Sequence, residues 1–233
     1  MFQTIVLMLV SETMAGIQLD PFPFDLYNSI TGRFTIPNAK RALSPSGNQY
    51  NLIFLGIDGN WPCDDVLLEA GIDMVLLENG VPSFQAWYEF YPSPPVNFDF
   101  DVKVGHTIQI DILARSSIKA TIKFTNLSTR KVFSQVVRAP RGSALCRQTV
   151  DWMIMDKMEK VGEKLQWRSF MDFGNITFTD ISARLTSGAT VDLSSPKTIS
   201  LISHQSHPYK PLTNVEVINN QSFNVTYVQQ KPQ

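Results

Sequence analysis

The sequence is short of the residues on which several large classes of protein depend. Of its 233 residues only two are cysteines, Cys63 and Cys146. That excludes a disulfide-dense scaffold and a four-cysteine zinc module. Histidine is almost as rare, with His106, His204 and His207 making up the whole complement. The His204–His207 pair stands in a polar, proline-containing stretch with no neighbouring carboxylate. It reads as a surface loop, and no metal ligand set is assigned. A basic excess is missing as well: 20 Lys+Arg against 21 Asp+Glu leaves −1, so nucleic acid is not an expected partner. No apolar run reaches the ~18 residues of a membrane-spanning helix, and no membrane role is expected. Glycine-rich phosphate loops, a G-x-S-x-G elbow and an H-E-x-x-H helix are all absent. Any catalysis must lean on carboxylates.

What is present is a strand pattern. Hydrophobic residues are 43% and charged residues 18%, enough for a sizeable core. Ile108, Ile110 and Ile112 alternate with polar residues, and so do Ile118, Ala120, Ile122 and Phe124. Similar runs recur from Tyr50 to Val228, separated by turn residues at intervals of roughly ten. The reading is all-β: one antiparallel two-sheet β-sandwich of the concanavalin/lectin-like jelly-roll kind, spanning residues 31–230. A strand is expected over Trp167–Phe173. The one helical stretch expected is Asp156–Leu165, short because of Gly162.

Residues 1–30 form a separate N-terminal segment in this reading. Ile5 to Val10 is apolar but no Lys or Arg precedes Arg33, so it is either a degenerate leader or a buried terminal strand. Four N-x-[ST] sequons, at Asn126, Asn175, Asn220 and Asn224, are candidate glycosylation sites. One Cys63–Cys146 disulfide would need an oxidising compartment, with two separate buried thiols the alternative; an extracellular monomer is the expectation.

Several carboxylates fall inside apolar strand segments, where a charge is costly without a purpose. Glu69 follows Val66-Leu67-Leu68, Glu89 lies within Trp87-Tyr88-Glu89-Phe90-Tyr91, and Asp151 lies within Val150-Asp151-Trp152-Met153-Ile154. On a strand Trp87, Glu89 and Tyr91 share one face, two aromatic walls with a carboxylate between them. That face is either a substrate groove or an ordinary outward face. Asp58 and Asp73, each after Gly-Ile, read as turn or hydrogen-bonding carboxylates at the groove's edge.

These segments together resemble the glutamic peptidases, or eqolisins. The resemblance is carried by Leu55-Gly56-Ile57-Asp58-Gly59, Cys63 and Glu69-Ala70-Gly71-Ile72-Asp73. It continues through Ala86-Trp87-Tyr88-Glu89-Phe90-Tyr91-Pro92, Cys146 with Asp151-Trp152, and Asp172-Phe173-Gly174-Asn175-Ile176-Thr177-Phe178-Thr179, in the family's order from Thr31 to Val228. It implies a two-sheet sandwich and a secreted, acid-acting endopeptidase without metal or cofactor, whose partner is a peptide or protein substrate. In that family a glutamate activates water and a glutamine steadies the oxyanion. Here the glutamine position holds Glu69 and the glutamate position holds Asp151, while Phe54 stands where a tryptophan is usual. The family's opening N-W-[SG]-G strand has no counterpart before Thr31 in this reading.

The changed pair keeps chemistry within reach. A protonated Glu69 can donate as the amide did, and two close carboxyl groups share a proton. Asp151 is one methylene shorter than glutamate, and a misplacement of about 1 Å can cost a hundredfold in rate. The leading expectation is therefore an acid endopeptidase with a variant Glu69/Asp151 pair, its optimum at about pH 4–6 because 20 Lys+Arg would self-repel in stronger acid. The alternative is an inactive relative that binds peptide or glycan in the same groove. A glycoside hydrolase is a third reading, since two carboxylates in an aromatic cleft also suit that chemistry.

Overall fold

In the computed structural model the described residues are 7–20, 24–42, 47–60, 62–161, 164–194, 196–202 and 210–228. Alternating apolar residues pair into two large sheets. The first runs β1 (Leu7–Ser11), β17 (Lys197–Leu201), β2 (Met14–Leu19), β11 (Val150–Met155), β4 (Gln49–Asn60), β5 (Cys63–Leu76), β6 (Pro82–Tyr91), β7 (Val96–Phe98), with the short β14 (Ser169–Phe170) also on β4. The second runs β10 (Lys131–Arg138), β9 (Lys119–Asn126), β8 (Thr107–Ser116), β3 (Tyr27–Thr35), β15 (Asn175–Leu185), β19 (Ser222–Tyr227), β18 (Thr213–Asn219), with β16 (Thr190–Val191) on β15. Pairing is antiparallel apart from β1 with β17 and β14 with β4. No helix among the described residues is long and apolar enough to cross a membrane.

The inner faces supply the core. Ile53, Leu55 and Ile57 of β4, Leu68, Ala70 and Ile72 of β5, and Trp152 and Ile154 of β11 are buried in one cluster with Ile108, Ile110, Ile112, Phe124 and Phe178 of the second sheet. A fully buried aliphatic side chain contributes about 1.5–3 kcal/mol. A one-residue slip would turn the whole set outward, so the alternation dictates the register. Trp152 also bridges the sheets, donating its indole N–H to the carbonyl of Thr31 at 2.9 Å. Gly32 makes this close approach feasible: a Cβ there would lie 2.8 Å from the Trp152 ring. With Trp152 anchored inward, Asp151 must face outward on the same strand.

Three expectations are corrected. Within the Asp156–Leu165 stretch the described residues form strands rather than a helix: β12 (Met158–Val161) pairs antiparallel with β13 (Lys164–Trp167), and this pairing outweighs weak local propensity. Of the strand expected over Trp167–Phe173, only the two-residue β14 forms between β13 and a bridge at Asp172. The fold also reaches further upstream than residue 31: β2 lies between β17 and β11 deep in the first sheet, and β1 pairs with β17. β2 thus supplies a strand of the first sheet from within residues 1–30. Its glycine is needed, because a Cβ at Gly16 would lie 2.1 Å from the Trp152 carbonyl oxygen.

Candidate active site

Three neighbouring strands of the first sheet bring the two candidate catalytic residues onto one line. The register sets Glu69 of β5 opposite Gly56 of β4, and Gly56 opposite Asp151 of β11. The same line continues to Glu89 of β6 on one side, and to Gln18 of β2 and Lys197 of β17 on the other. Residues directly opposite in a ladder point to the same face, so Lys197, Gln18, Asp151, Gly56, Glu69 and Glu89 form one row across the outer face. Two strand spacings separate the backbones of Glu69 and Asp151, about 10 Å. The residue between them has no side chain, and the carboxyl groups can converge over it. A Cβ at Gly56 would lie 2.6 Å from Asp151 Oδ1.

The next row of the same face is apolar. Leu52, Phe54, Trp87, Met153 and Ile199 form a second buried cluster, with Met14 and Met155 packed on it. Phe54 and Trp87 stack tilted with centroids 6.3 Å apart. Gly71, between them in register, permits this, since a Cβ there would come within 2.7 Å of Phe54 Cβ. Phe54 and Trp87 are only 3% and 4% exposed. They form a closed apolar floor beside the carboxyl row rather than open groove walls, whereas Tyr91 is exposed.

Asp58 and Asp73 serve structure. Asp58 is buried, and its carboxylate accepts from the backbone N–H of Arg147 at 2.7 Å and Gln148 at 2.8 Å. It thereby shapes the segment that feeds β11. Cys63 and Cys146 are joined in a disulfide that ties the start of β5 to the same segment. The Asp58, Cys63 and Cys146 donor atoms lie within 4.8 Å of one another, but both sulfurs are spent on their own bond, so the trio is not a ligand set. Asp73 pairs with Lys157 at 2.6 Å at the root of the β12–β13 pair. His204 and His207 lie outside the described residues.

Among the sequons, Asn126 is corrected. It is fully buried, its Nδ2 donates to the Asp101 carbonyl at 2.7 Å, and its Oδ1 accepts from the Ser128 and Thr129 N–H groups. A glycan on that nitrogen has no room in the folded chain. Asn175 and Asn220 are exposed and Asn224 is half-buried, all on the second sheet or its turns.

The electrostatics follow from burial. Glu69 is raised well above the ordinary carboxyl range, by desolvation first and then by Asp151 and Glu89. Asp151, 3% exposed, is pushed up to about 7. Desolvation leads and repulsion from Asp58 adds, while the hydrogen bond from Asn60 and the nearby Gly56 backbone pull the other way. Burial raises Glu89 too. Two close carboxyl groups ionise in sequence, so the pair passes through a state with one proton. Asp151 Oδ1 is buried and makes no hydrogen bond, leaving an acceptor without a partner in the row. Reasoning from sequence missed Asn60, which donates to Asp151 Oδ2 at 3.1 Å, and Gln18, directly opposite Asp151. Polar residues inside the apolar runs of β2 and β4 were the available signal.

Comparison with known proteins gives concordant results. The profile of the Peptidase A4 family matches residues 12–227. Aspergillopepsin-2 of Aspergillus niger is 29% identical over 184 residues, 72% of this chain and 63% of that protein. Scytalidopepsin B of Scytalidium lignicola is 26% identical over 160 residues, 67% of this chain and 58% of that protein. The chain therefore spans less than two thirds of the length of either curated relative. Scytalido-glutamic peptidase, solved with a peptide-based transition state analogue, superposes with a TM-score of 0.79 at 23% identity, over 94% of this chain and 99% of that one. Aspergilloglutamic peptidase from Aspergillus niger gives 0.66 at 29% identity, over 77% and 99%. The two-sheet sandwich is common to them.

Proposed function

The chain belongs to the peptidase A4 family, and from that premise we propose that it is an endopeptidase in which Asp151 and Glu69 hydrolyse peptide bonds through an activated water. The observation that carries this reading is the row in which only Gly56 stands between the two carboxyl-bearing strands, with the Asp151 carboxyl group lying over it. Asp151 acts as base: its unpartnered Oδ1 takes a proton from water as the water oxygen attacks the scissile carbonyl carbon. Glu69, protonated, donates a hydrogen bond to the oxyanion that forms. The Asp151 proton then passes to the leaving nitrogen, the C–N bond breaks, and a carboxylic acid and an amine depart. The pair ends as it began.

This assignment sets the pH window. Activity rises as Asp151 ionises, near 7, and falls where Glu69 loses its proton at higher pH. The optimum moves above the pH 4–6 expected from charge balance, because desolvation raises both carboxyl groups. The substrate is an extended peptide or unfolded protein laid along the carboxyl row. The disulfide suits an oxidising, extracellular setting. A second reading, peptide or glycan binding without hydrolysis, is favoured by the substitution of both family pair positions.

The test is cleavage of an unfolded protein from about pH 3 to about pH 9, with Asp151→Ala beside the wild type. Cleavage that peaks near neutrality and vanishes in the variant supports the peptidase. A folded wild type that cleaves nothing across the range overturns it and leaves the binding reading.

A further inference from the structure

We infer that Asn60 is a positioning residue that decides which member of the carboxyl pair ionises, making Asp151 the base and leaving Glu69 the acid. The inference rests on the reading that the two groups act as a pair. Its basis is an asymmetry along the row. Asn60, just past the irregularity in β4 between Asp58 and Asn60, donates from Nδ2 to Asp151 Oδ2 at 3.1 Å. An amide nitrogen only donates, so this bond favours the carboxylate over the neutral acid. Glu69 instead stands between two other carboxyl groups, Asp151 and Glu89.

The Gly56 backbone acts in the same direction, but no other side chain facing Asp151 among the described residues does. Asp58 from β4 opposes its ionisation, and Asp151 in turn opposes that of Glu69 from β5. Gln18 from β2 lies directly opposite, but its Nε2 donates to Asp20 at 3.2 Å. Lys197 from β17, one strand further out, is engaged by the same Asp20 at 2.5 Å. Asn60 is therefore the side-chain donor that reaches Asp151 among the described residues. It restores, from a different strand, an amide beside a carboxylate, which the family's pair has and which Glu69 removes from the usual position. The amide here grips the base itself and sets its charge.

The experiment titrates the side-chain carboxyl carbons of the full chain by NMR, in wild type, Asn60→Leu, Asn60→Asp and Asn60→Ser. A hydrogen bond to a charged group is worth about one to two pH units of bias. In Asn60→Leu the Asp151 midpoint should rise by about one pH unit and the Glu69 midpoint should fall. Asn60→Asp should move Asp151 further in the same direction, and Asn60→Ser, which keeps a donor, should return it toward wild type. A purely structural asparagine would leave both midpoints in place. An Asp151 midpoint that is the same in Asn60→Asp and Asn60→Ser overturns the inference even should Asn60→Leu fail to fold. The titration needs no substrate. Midpoints that move in a protein that cleaves nothing uphold the role of Asn60 and count against the peptidase, whereas cleavage with fixed midpoints does the reverse.

Discussion

On the outer face of the second sheet, Asp111 accepts from Thr31 and from Gln109, and Asp180 pairs with Arg33 at 2.6 Å. On the outer face of the first sheet, Asp151 receives one side-chain bond, from Asn60, while Glu69 lies between two more carboxyl groups. A loop carboxylate makes the contrast sharper. Asp25, hydrogen-bonded by Ser187 and Thr186, is lowered to about 2, whereas Asp151 is raised to about 7 by burial. Same chemistry, same sandwich: donors and water hold one carboxyl group ionised, and their scarcity keeps the other protonated. Surplus partners mark a carboxylate that serves structure. In the proposed reading, the deficit at Asp151 leaves a proton available for chemistry.

The comparison can be broken most directly at Asp151. Asp151→Asn keeps the shape and removes the base, and kcat/KM on an unfolded protein should fall by about 10³. Stability should move the other way. Because the folded-state value of Asp151 lies above that of a free aspartate, the native state binds more protons between about pH 4 and about pH 7, and stability falls as pH rises through that window. Thermal melts of Asp151→Asn should show a shallower decline and a higher Tm at neutral pH. A variant melting below wild type there would mean that the carboxylate is not strained by burial.

Replacing Cys63 and Cys146 with serine opens a bridge 83 residues apart. The cost should be about 2–4 kcal/mol in denaturant unfolding. Cleavage should weaken too, since the bridge and Asp58 together hold the segment that leads into Asp151. Gly56→Ala should be nearly neutral for stability, because the added Cβ meets the movable end of a side chain. It should nevertheless lower kcat/KM about a hundredfold by displacing the Asp151 carboxyl group. On the second sheet Arg33→Ala removes an exposed pair and should cost no more than about 1 kcal/mol, with cleavage unchanged. A large effect there would erase the distinction between the two faces.

Much of this was legible along the chain. The period of two gave the strands and the sandwich, since a half-buried strand must alternate. Glu69, Glu89 and Asp151 stood out as candidates because a charge inside an apolar run demands a reason. The pairing of β12 with β13 was not legible: a short segment of mixed propensity takes its conformation from pairing. Nor was the closed state of Phe54 and Trp87, because alternation assigns a side chain to a face without saying whether that face is open. Asn126 shows the same limit, as a sequon reads identically on a surface and in a core.

The sequence by itself determined which residues face inward, and hence that Glu69, Asp151 and Gly56 belong to strands with one core face. Only the tertiary structure decided that these strands are neighbours, in a register that sets a glycine between two carboxyl groups and an amide against one of them. The physical reason is that face depends on spacing within a strand, which is local, whereas adjacency and ionisation depend on which distant strands pair and how much water and how many donors they leave around each group.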